Sequence, residues 1–104
     1  MDVCKVIGDI VSTQKDPKAE GFKLLVVQQL DMRTQKPKGY TLVAADTVGA
    51  GMGEIVLVVR GSSSRMTQHT NEKPIDAAIM GIIDYIHIDG ERVYSKYPDR
   101  DLET

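Results

Sequence analysis

Three alternating glycines stand directly in front of the most apolar run of the chain. Gly49, Gly51 and Gly53 are followed by EIVLVVR at residues 54–60. An unbroken series of aliphatic, mostly β-branched side chains is typical of a strand, because β-branched residues lose rotamer freedom in a helix. A phosphate-binding glycine loop leads instead into a helix, whose N-terminal N–H groups hold the anion. The pattern therefore predicts a loop that enters a strand, and it argues against a nucleotide-binding fingerprint.

The glycines themselves allow two interpretations. In the first, the loop is a simple strand connection in which glycine supplies a positive φ angle. One such glycine usually suffices, whereas this alternation leaves one side of the loop without side chains. In the second, bare backbone lies close to another surface, and the axis of a subunit ring is one such place.

Strand patterns also occur on both sides of this loop, separated by turns rich in Gly, Pro and charge. The predicted strands cover residues 3–12, 22–30, 40–48, 54–60 and 75–88. The last segment has apolar residues at helical spacing as well, but its six isoleucines and Gly81 favour a strand. Serines after Gly61 are good helix N-caps and predict a short helix or turn over residues 63–68.

Five short strands and one short helical insert in 104 residues predict an all-β fold, a small five-stranded OB-like barrel. We expect this barrel domain to cover residues 1–88. Residues 89–104 are strongly charged and show no clear period, which predicts a C-terminal tail or arm.

Composition excludes several functional classes. The net charge is −2, and the chain has one Phe, four Tyr and no Trp, so it lacks the basic and aromatic face of a nucleic-acid-binding protein. No apolar run is long enough to span a membrane, and Lys5 and Asp9 interrupt the N-terminus where a signal peptide would be apolar. The single cysteine, Cys4, rules out an intrachain disulfide. We therefore expect a soluble, cytoplasmic protein.

Strand 54–60 has apolar residues at every position from 55 to 59, so both of its faces need cover. A barrel of this size has one interior. The second face should lie under the helical insert, the tail or another subunit, and oligomerisation is the simplest of these explanations.

Two catalytic or metal-binding arrangements can be built from the sequence, and each has a simpler alternative. Ser62, Ser63 and Ser64 could act with His69 and Asp76 in a hydrolase, but no G-x-S-x-G elbow is present. Helix-capping serines, with or without an anion at the helix start, explain the same residues.

A metal site could combine Cys4, Asp84 and His87, although their spacing matches no metal motif. A small buried thiol and a half-exposed histidine explain these residues better. Among the aspartates beside apolar runs, Asp46 and Asp76 are best explained as acceptors in turns or caps. We therefore predict no catalytic residue, no metal and no cofactor.

Three segments resemble the vertex proteins of bacterial microcompartments, the EutN/CcmL family. They are CKVIGDIVSTQKDPKAEGFKLLVVQ, DTVGAGMGEIVLVVRGSSSR and KPIDAAIMGIIDYI, which follow one another in the order found in that family. The resemblance covers residues 1–88 and is much weaker from residue 89 onward. It implies an OB-like barrel with a short helix that assembles into pentamers. Such pentamers close the five-fold vertices of a shell whose facets are hexameric or trimeric shell proteins.

The resemblance also assigns roles to residues of this chain. It implies that the glycine-rich loop, Gly49, Ala50, Gly51, Met52 and Gly53, lines a narrow opening on the five-fold axis. Glu54 and the segment Ser62, Ser63, Ser64 and Arg65 are the implied subunit contacts, with Ser64 where the family usually has alanine. The implied function is structural and non-enzymatic, in a shell that we expect to belong to a catabolic compartment. The alternative from another class is a small OB-type module that binds a nucleotide or oligonucleotide.

Overall fold

The computed structural model of the chain describes residues 1–11, 23–61 and 76–97. These residues form seven strands. The strands are β1 (Asp2–Ile10), β2 (Lys23–Leu30), β3 (Pro37–Asp46), β4 (Ile55–Arg60), β5 (Ala77–Ile82), β6 (Tyr85–Ile88) and β7 (Glu91–Ser95). The predicted short helix or turn at 63–68 lies outside the described residues. The described part of the chain contains no helix of the length and apolarity that a membrane span requires.

Five of the strands form a closed barrel in the order β1-β2-β3-β5-β4, with β4 pairing back onto β1. All neighbouring strands are antiparallel except β3 and β5, which run parallel. Closure removes the exposed strand edges that would otherwise pair with other chains. The predicted all-β fold with a five-stranded barrel is confirmed.

The barrel interior is filled by small and β-branched side chains, as expected for a chain that is poor in aromatic residues. Alternate positions of each strand point inward. The inward-facing cluster comprises Cys4, Val6, Leu25, Val27, Ala44, Ala50, Val56, Val58, Ala77 and Ile79. One member, Ala50, belongs to the glycine-rich loop and not to a strand, so the loop is anchored in the core.

The predicted strand over 75–88 is two strands in the structure, because the chain leaves the barrel after Ile82. Strands β6 and β7 then form a separate two-stranded sheet. Their turn is Asp89-Gly90, and both residues have positive φ angles, 53° and 80°. These are the angles of a type I′ hairpin turn, for which Asp-Gly is a favoured pair. Strand β7 lies in the segment 89–104, for which the sequence predicts a tail or arm, and the Asp-Gly dipeptide is the local signal for the hairpin.

The hairpin covers part of the outer surface of the barrel. Ile86 and Tyr94 pack with Ile83 and Leu57 against a buried cluster of Val3, Leu30 and Ile55. The outer side chains at the start of β4 are therefore covered by the chain's own C-terminal hairpin. Of the three covers that the sequence left open, which were the helical insert, the tail and another subunit, the chain's own C-terminal segment provides the one at this part of β4.

Candidate functional site: the glycine-rich loop

The loop of residues 47–54 joins β3 to β4 and is fixed at its first end by one buried carboxylate. Asp46 is the last residue of β3, and its Oδ1 accepts hydrogen bonds from the N–H groups of Val48, Gly49 and Ala50, each at 3.1 Å. The hydroxyl of Thr47 donates to the carbonyl of Ile79 at 3.0 Å, which ties the loop to β5. Asp46 acts as the turn acceptor that the sequence predicted.

The other end of the loop is fixed by Glu54 and by β1. Oε1 of Glu54 accepts the N–H of Gly51 at 2.5 Å, and Oε2 lies 2.6 Å from Nζ of Lys96. The N–H of Gly53 donates to the carbonyl of Val6, and the N–H of Val6 donates to the carbonyl of Glu54, both at 2.9 Å. Both ends of the loop are thus held by charged side chains and backbone hydrogen bonds.

The pair of Glu54 and Lys96 keeps both groups ionised. The hydrogen bond from Lys96, with a second from the Gly51 N–H, lowers the pKa of Glu54. The same carboxylate raises the pKa of Lys96. Lys96 follows β7, so the C-terminal hairpin contributes directly to the shape of the glycine-rich loop.

The three glycines are present for different reasons. Gly49 and Gly53 have φ angles of 78° and 85°, which side-chain-bearing residues rarely adopt. Gly51 lies outside this left-handed region, and a Cβ placed on it would meet only the carboxylate of Glu54, at 3.4 Å. The backbone of the isolated subunit therefore requires glycine at 49 and 53 but not at 51.

The two side chains within the glycine run point in different directions. Ala50 is 4% exposed and packs in the barrel interior, whereas Met52 is 65% exposed. The small size of Ala50 is therefore required by its own core. Its place in an axial opening stays a prediction, as does that of the other four residues of the run.

A second polar cluster joins the first residues of β1 to β3 and β4. The Tyr40 hydroxyl donates to Oδ2 of Asp2 at 2.5 Å, and Nε of Arg60 donates to the same oxygen at 3.1 Å. The Arg60 guanidinium also lies 4.4 Å from the centre of the Tyr40 ring. The hydrogen bond from Tyr40 is the main cause of the lowered pKa of Asp2, while burial and that bond raise the pKa of Tyr40.

The candidate metal set is not assembled. Cys4 is buried in the barrel, where burial raises the pKa of its thiol and its Sγ lies 3.8 Å from the Tyr40 hydroxyl. Over residues 1–11, 23–61 and 76–97, no group of three His, Cys, Asp or Glu side chains could hold a metal ion, and this range includes Asp84 and His87. The serines 62–64, Arg65 and His69 lie outside the described residues.

Several apolar side chains remain exposed on the barrel surface. Ile7 in β1 and Val43 in β3 are 48% and 46% exposed. Val43 lies opposite Val26 of β2, which in turn lies opposite Gly8 of β1. Gly8 has no side chain, so β1 places none opposite Val26 at this position.

Comparison with known proteins places these features in context. The profile of a family described as "Ethanolamine utilisation protein EutN/carboxysome" matches residues 1–84. The carboxysome shell vertex protein CcmL of Synechococcus elongatus is 47% identical over 96 residues, which are 92% of this chain and 96% of CcmL. The chain is thus related to a shell vertex protein over nearly the full length of both.

Solved structures agree with this relationship. The structure of CcmL from Nostoc sp. superposes with a TM-score of 0.85 at 45% identity, covering 92% of this chain and all of CcmL (100%). The structure of GrpN, a pentameric microcompartment shell protein from Rhodospirillum rubrum, superposes with a TM-score of 0.76 at 49% identity. That match covers 85% of this chain and 99% of GrpN.

Proposed function

The chain belongs to the EutN/CcmL family, and from this premise we propose that it is a structural, non-enzymatic shell protein that assembles as a homopentamer. The pentamer closes the five-fold vertices of a bacterial microcompartment in the cytoplasm and contacts hexameric or trimeric shell proteins at its rim. The observation that carries the proposal is the nearly full-length match to shell vertex proteins, one of which is pentameric. This relationship favours the vertex role over the alternative of an OB-type nucleotide-binding module.

We further propose that the glycine-rich loop lines the five-fold axis. Gly51 supports this placement, because its own subunit leaves room for a side chain there. A glycine that its subunit does not require is explained by a close approach of backbone from elsewhere, and five copies of one loop on an axis provide such crowding. An opening that is lined by five copies of one loop requires each copy to keep the same conformation, and hydrogen bonds at both ends fix the conformation of this loop.

The subunit contacts are proposed at Glu54, at residues 62–65 and at the exposed apolar surface of the barrel. Glu54 already binds Lys96 and the Gly51 N–H within its own chain. Its contribution to a contact is therefore to hold the loop in the shape that a neighbouring subunit meets. Ile7 and Val43 supply apolar area that a monomer would leave in water.

Native mass spectrometry of the purified full-length protein tests the assembly. We expect a species of five chains, five times the 11.5 kDa of one chain, at micromolar concentration. Multi-angle light scattering at several dilutions provides an independent mass. A stable monomer would overturn the pentamer proposal, and a hexamer would overturn the vertex role while leaving a shell role.

The type of compartment stays a prediction. The relatives compared above include carboxysome proteins, whereas the description of the matching family also names ethanolamine utilisation. We propose that the compartment of this chain is a catabolic one. Shells purified from the native host through this protein, followed by mass spectrometry of their contents, test this proposal. Catabolic enzymes support it, and carbon-fixing enzymes contradict it.

A further inference from the structure

Met52 is the only side chain that the segment 49–54 extends into solvent. The three glycines have none, Ala50 points into the barrel core, and Glu54 folds back onto Lys96 and the Gly51 N–H. Met52 itself is 65% exposed. A long apolar side chain at the tip of an otherwise bare loop has no partner within the segment that carries it.

The position of Met52 is fixed by the turn that carries it. The N–H of Glu54 donates to the carbonyl of Gly51 at 3.2 Å, and the N–H of Gly53 donates to Val6 at 2.9 Å. The Met52 backbone therefore sits in a closed turn that is bonded to β1. Only the rotamers of its flexible thioether side chain remain adjustable.

The charges next to Met52 compensate each other. Glu54 is the nearest acid in the sequence, and its carboxylate lies 2.6 Å from the ammonium of Lys96. Five copies of this loop would therefore bring together five neutralised pairs and not a ring of negative charge. The apolar Met52 side chains are then the feature that a solute would meet.

We propose that five Met52 side chains form an apolar ring that narrows the axial opening, an inference that rests on the proposed pentamer. An apolar constriction disfavours water and therefore hinders ions of either sign, in contrast to a charged ring, which selects by sign. Because methionine is unbranched and flexible, five copies can fill a narrow opening without a fixed geometry. Met52 is thus the residue that determines what the opening admits.

The methionines of the unmodified protein provide the first test. In the isolated subunit Met52 is more exposed than Met32, at 65% against 50%. Because oxidation of methionine follows its exposure, the free subunit predicts that hydrogen peroxide oxidises Met52 at least as fast as Met32. If the apolar ring forms, Met52 should be oxidised more slowly than Met32 in the pentamer. Its oxidation rate should be about fivefold or more below that in the urea-unfolded chain. Peptide mapping by mass spectrometry gives both rates.

A crosslinking experiment tests the convergence directly. In Met52→Cys pentamers, mild oxidation should join neighbouring chains in pairs and leave one introduced thiol unpaired, since five is odd. Disulfides form only where Cα atoms lie within about 7 Å, which for a regular pentagon means a circle of about 6 Å radius. Met32→Cys, in the turn between β2 and β3, is the matched control and should not crosslink within the pentamer.

The outcomes separate the two proposals. If native mass spectrometry finds no pentamer, the proposed function fails first. If the pentamer forms but Met52 oxidises as fast as in the unfolded chain, or Met52→Cys does not crosslink, the apolar ring is wrong and the vertex role stands. Slow oxidation of Met52 together with pairwise crosslinks supports both.

Discussion

Substitution of Gly51 separates the stability of the subunit from the stability of the ring. In its own subunit Gly51 has no positive φ angle, and an added Cβ would make one ordinary contact, 3.4 Å from Glu54 Oε1. Replacing such a glycine by alanine stabilises a fold by about 0.4–1 kcal/mol, because the unfolded chain loses freedom. Gly51→Ala should therefore leave the free energy of unfolding of the subunit unchanged or slightly raised.

The pentamer should respond in the opposite direction. If five copies of the loop meet at an axis, five added methyl groups must fit where only backbone fitted before. Overpacking of this kind typically costs about 1–3 kcal/mol per site, and a β-branched residue should cost more than alanine. We expect Gly51→Ala to raise the subunit concentration at which the ring dissociates, and Gly51→Val to abolish full-size rings while the subunit still folds.

Gly53→Ala is the matched control within the same loop. Its φ of 85° makes a side chain unfavourable by about 1–2 kcal/mol in the subunit itself. This variant should therefore lose stability in urea denaturation of the dilute, dissociated chain, where Gly51→Ala does not. Native mass spectrometry at stepwise dilution measures assembly for both. Full-size rings of Gly51→Val with the wild-type dissociation midpoint would refute the reasoning.

Three further predictions concern the residues that hold the loop and the barrel. Asp46→Ala leaves three loop N–H groups without their acceptor and should lower the free energy of unfolding by about 2–3 kcal/mol. Asp46→Asn keeps an acceptor oxygen and should lower it by only about 1 kcal/mol. Urea denaturation compares the two variants. Tyr40→Phe should cost about 1–2 kcal/mol at neutral pH. The same substitution should also weaken the dependence of the free energy of unfolding on pH in the acid range. The lowered pKa of Asp2 stabilises the fold at pH values above the ordinary pKa of 3.8, and this stabilisation is lost as the pH falls through the pKa of the folded state. Thermal melts over a pH series test this, and an unchanged pH dependence in acid contradicts it. Ile86→Ala should lower the free energy of unfolding by about 1–2 kcal/mol, because it uncovers the barrel surface. His87 is exposed on the same strand, and His87→Ala should change this free energy by less than about 0.5 kcal/mol in the same assay. Equal effects of the two substitutions would contradict the packing role of the hairpin.

Several parts of the fold could be predicted from the sequence because the forces behind them are local. The β-branched run of β4 favours a strand through its own rotamer preferences, and the charged turns with Gly and Pro separate the strands. Asp46 was predicted as a turn acceptor, and its three backbone contacts lie within four residues of it. The hairpin turn at Asp89-Gly90 was also encoded locally, although the charge of the surrounding segment obscured it.

The tertiary structure decided what covers each face of each strand. The unbroken apolar run of β4 shows that both of its faces are apolar, but no local pattern indicates that Ile86 and Tyr94, some thirty residues later, cover one of them. The same is true of Lys96, which lies 42 residues from its partner Glu54. Contacts of this kind depend on how the barrel closes, and closure is a property of all five strands together.

The sequence by itself determined a series of short strands with a bare loop before the most apolar one, because strand and turn preferences act between near neighbours. Only the tertiary structure decided that the backbone of this loop needs glycine at 49 and 53 but not at 51. A φ angle and the space around a missing Cβ are set by the packing of distant segments, and at Gly51 both allow a side chain within the subunit. This freedom is the observation that supports the proposed place of the loop on the five-fold axis.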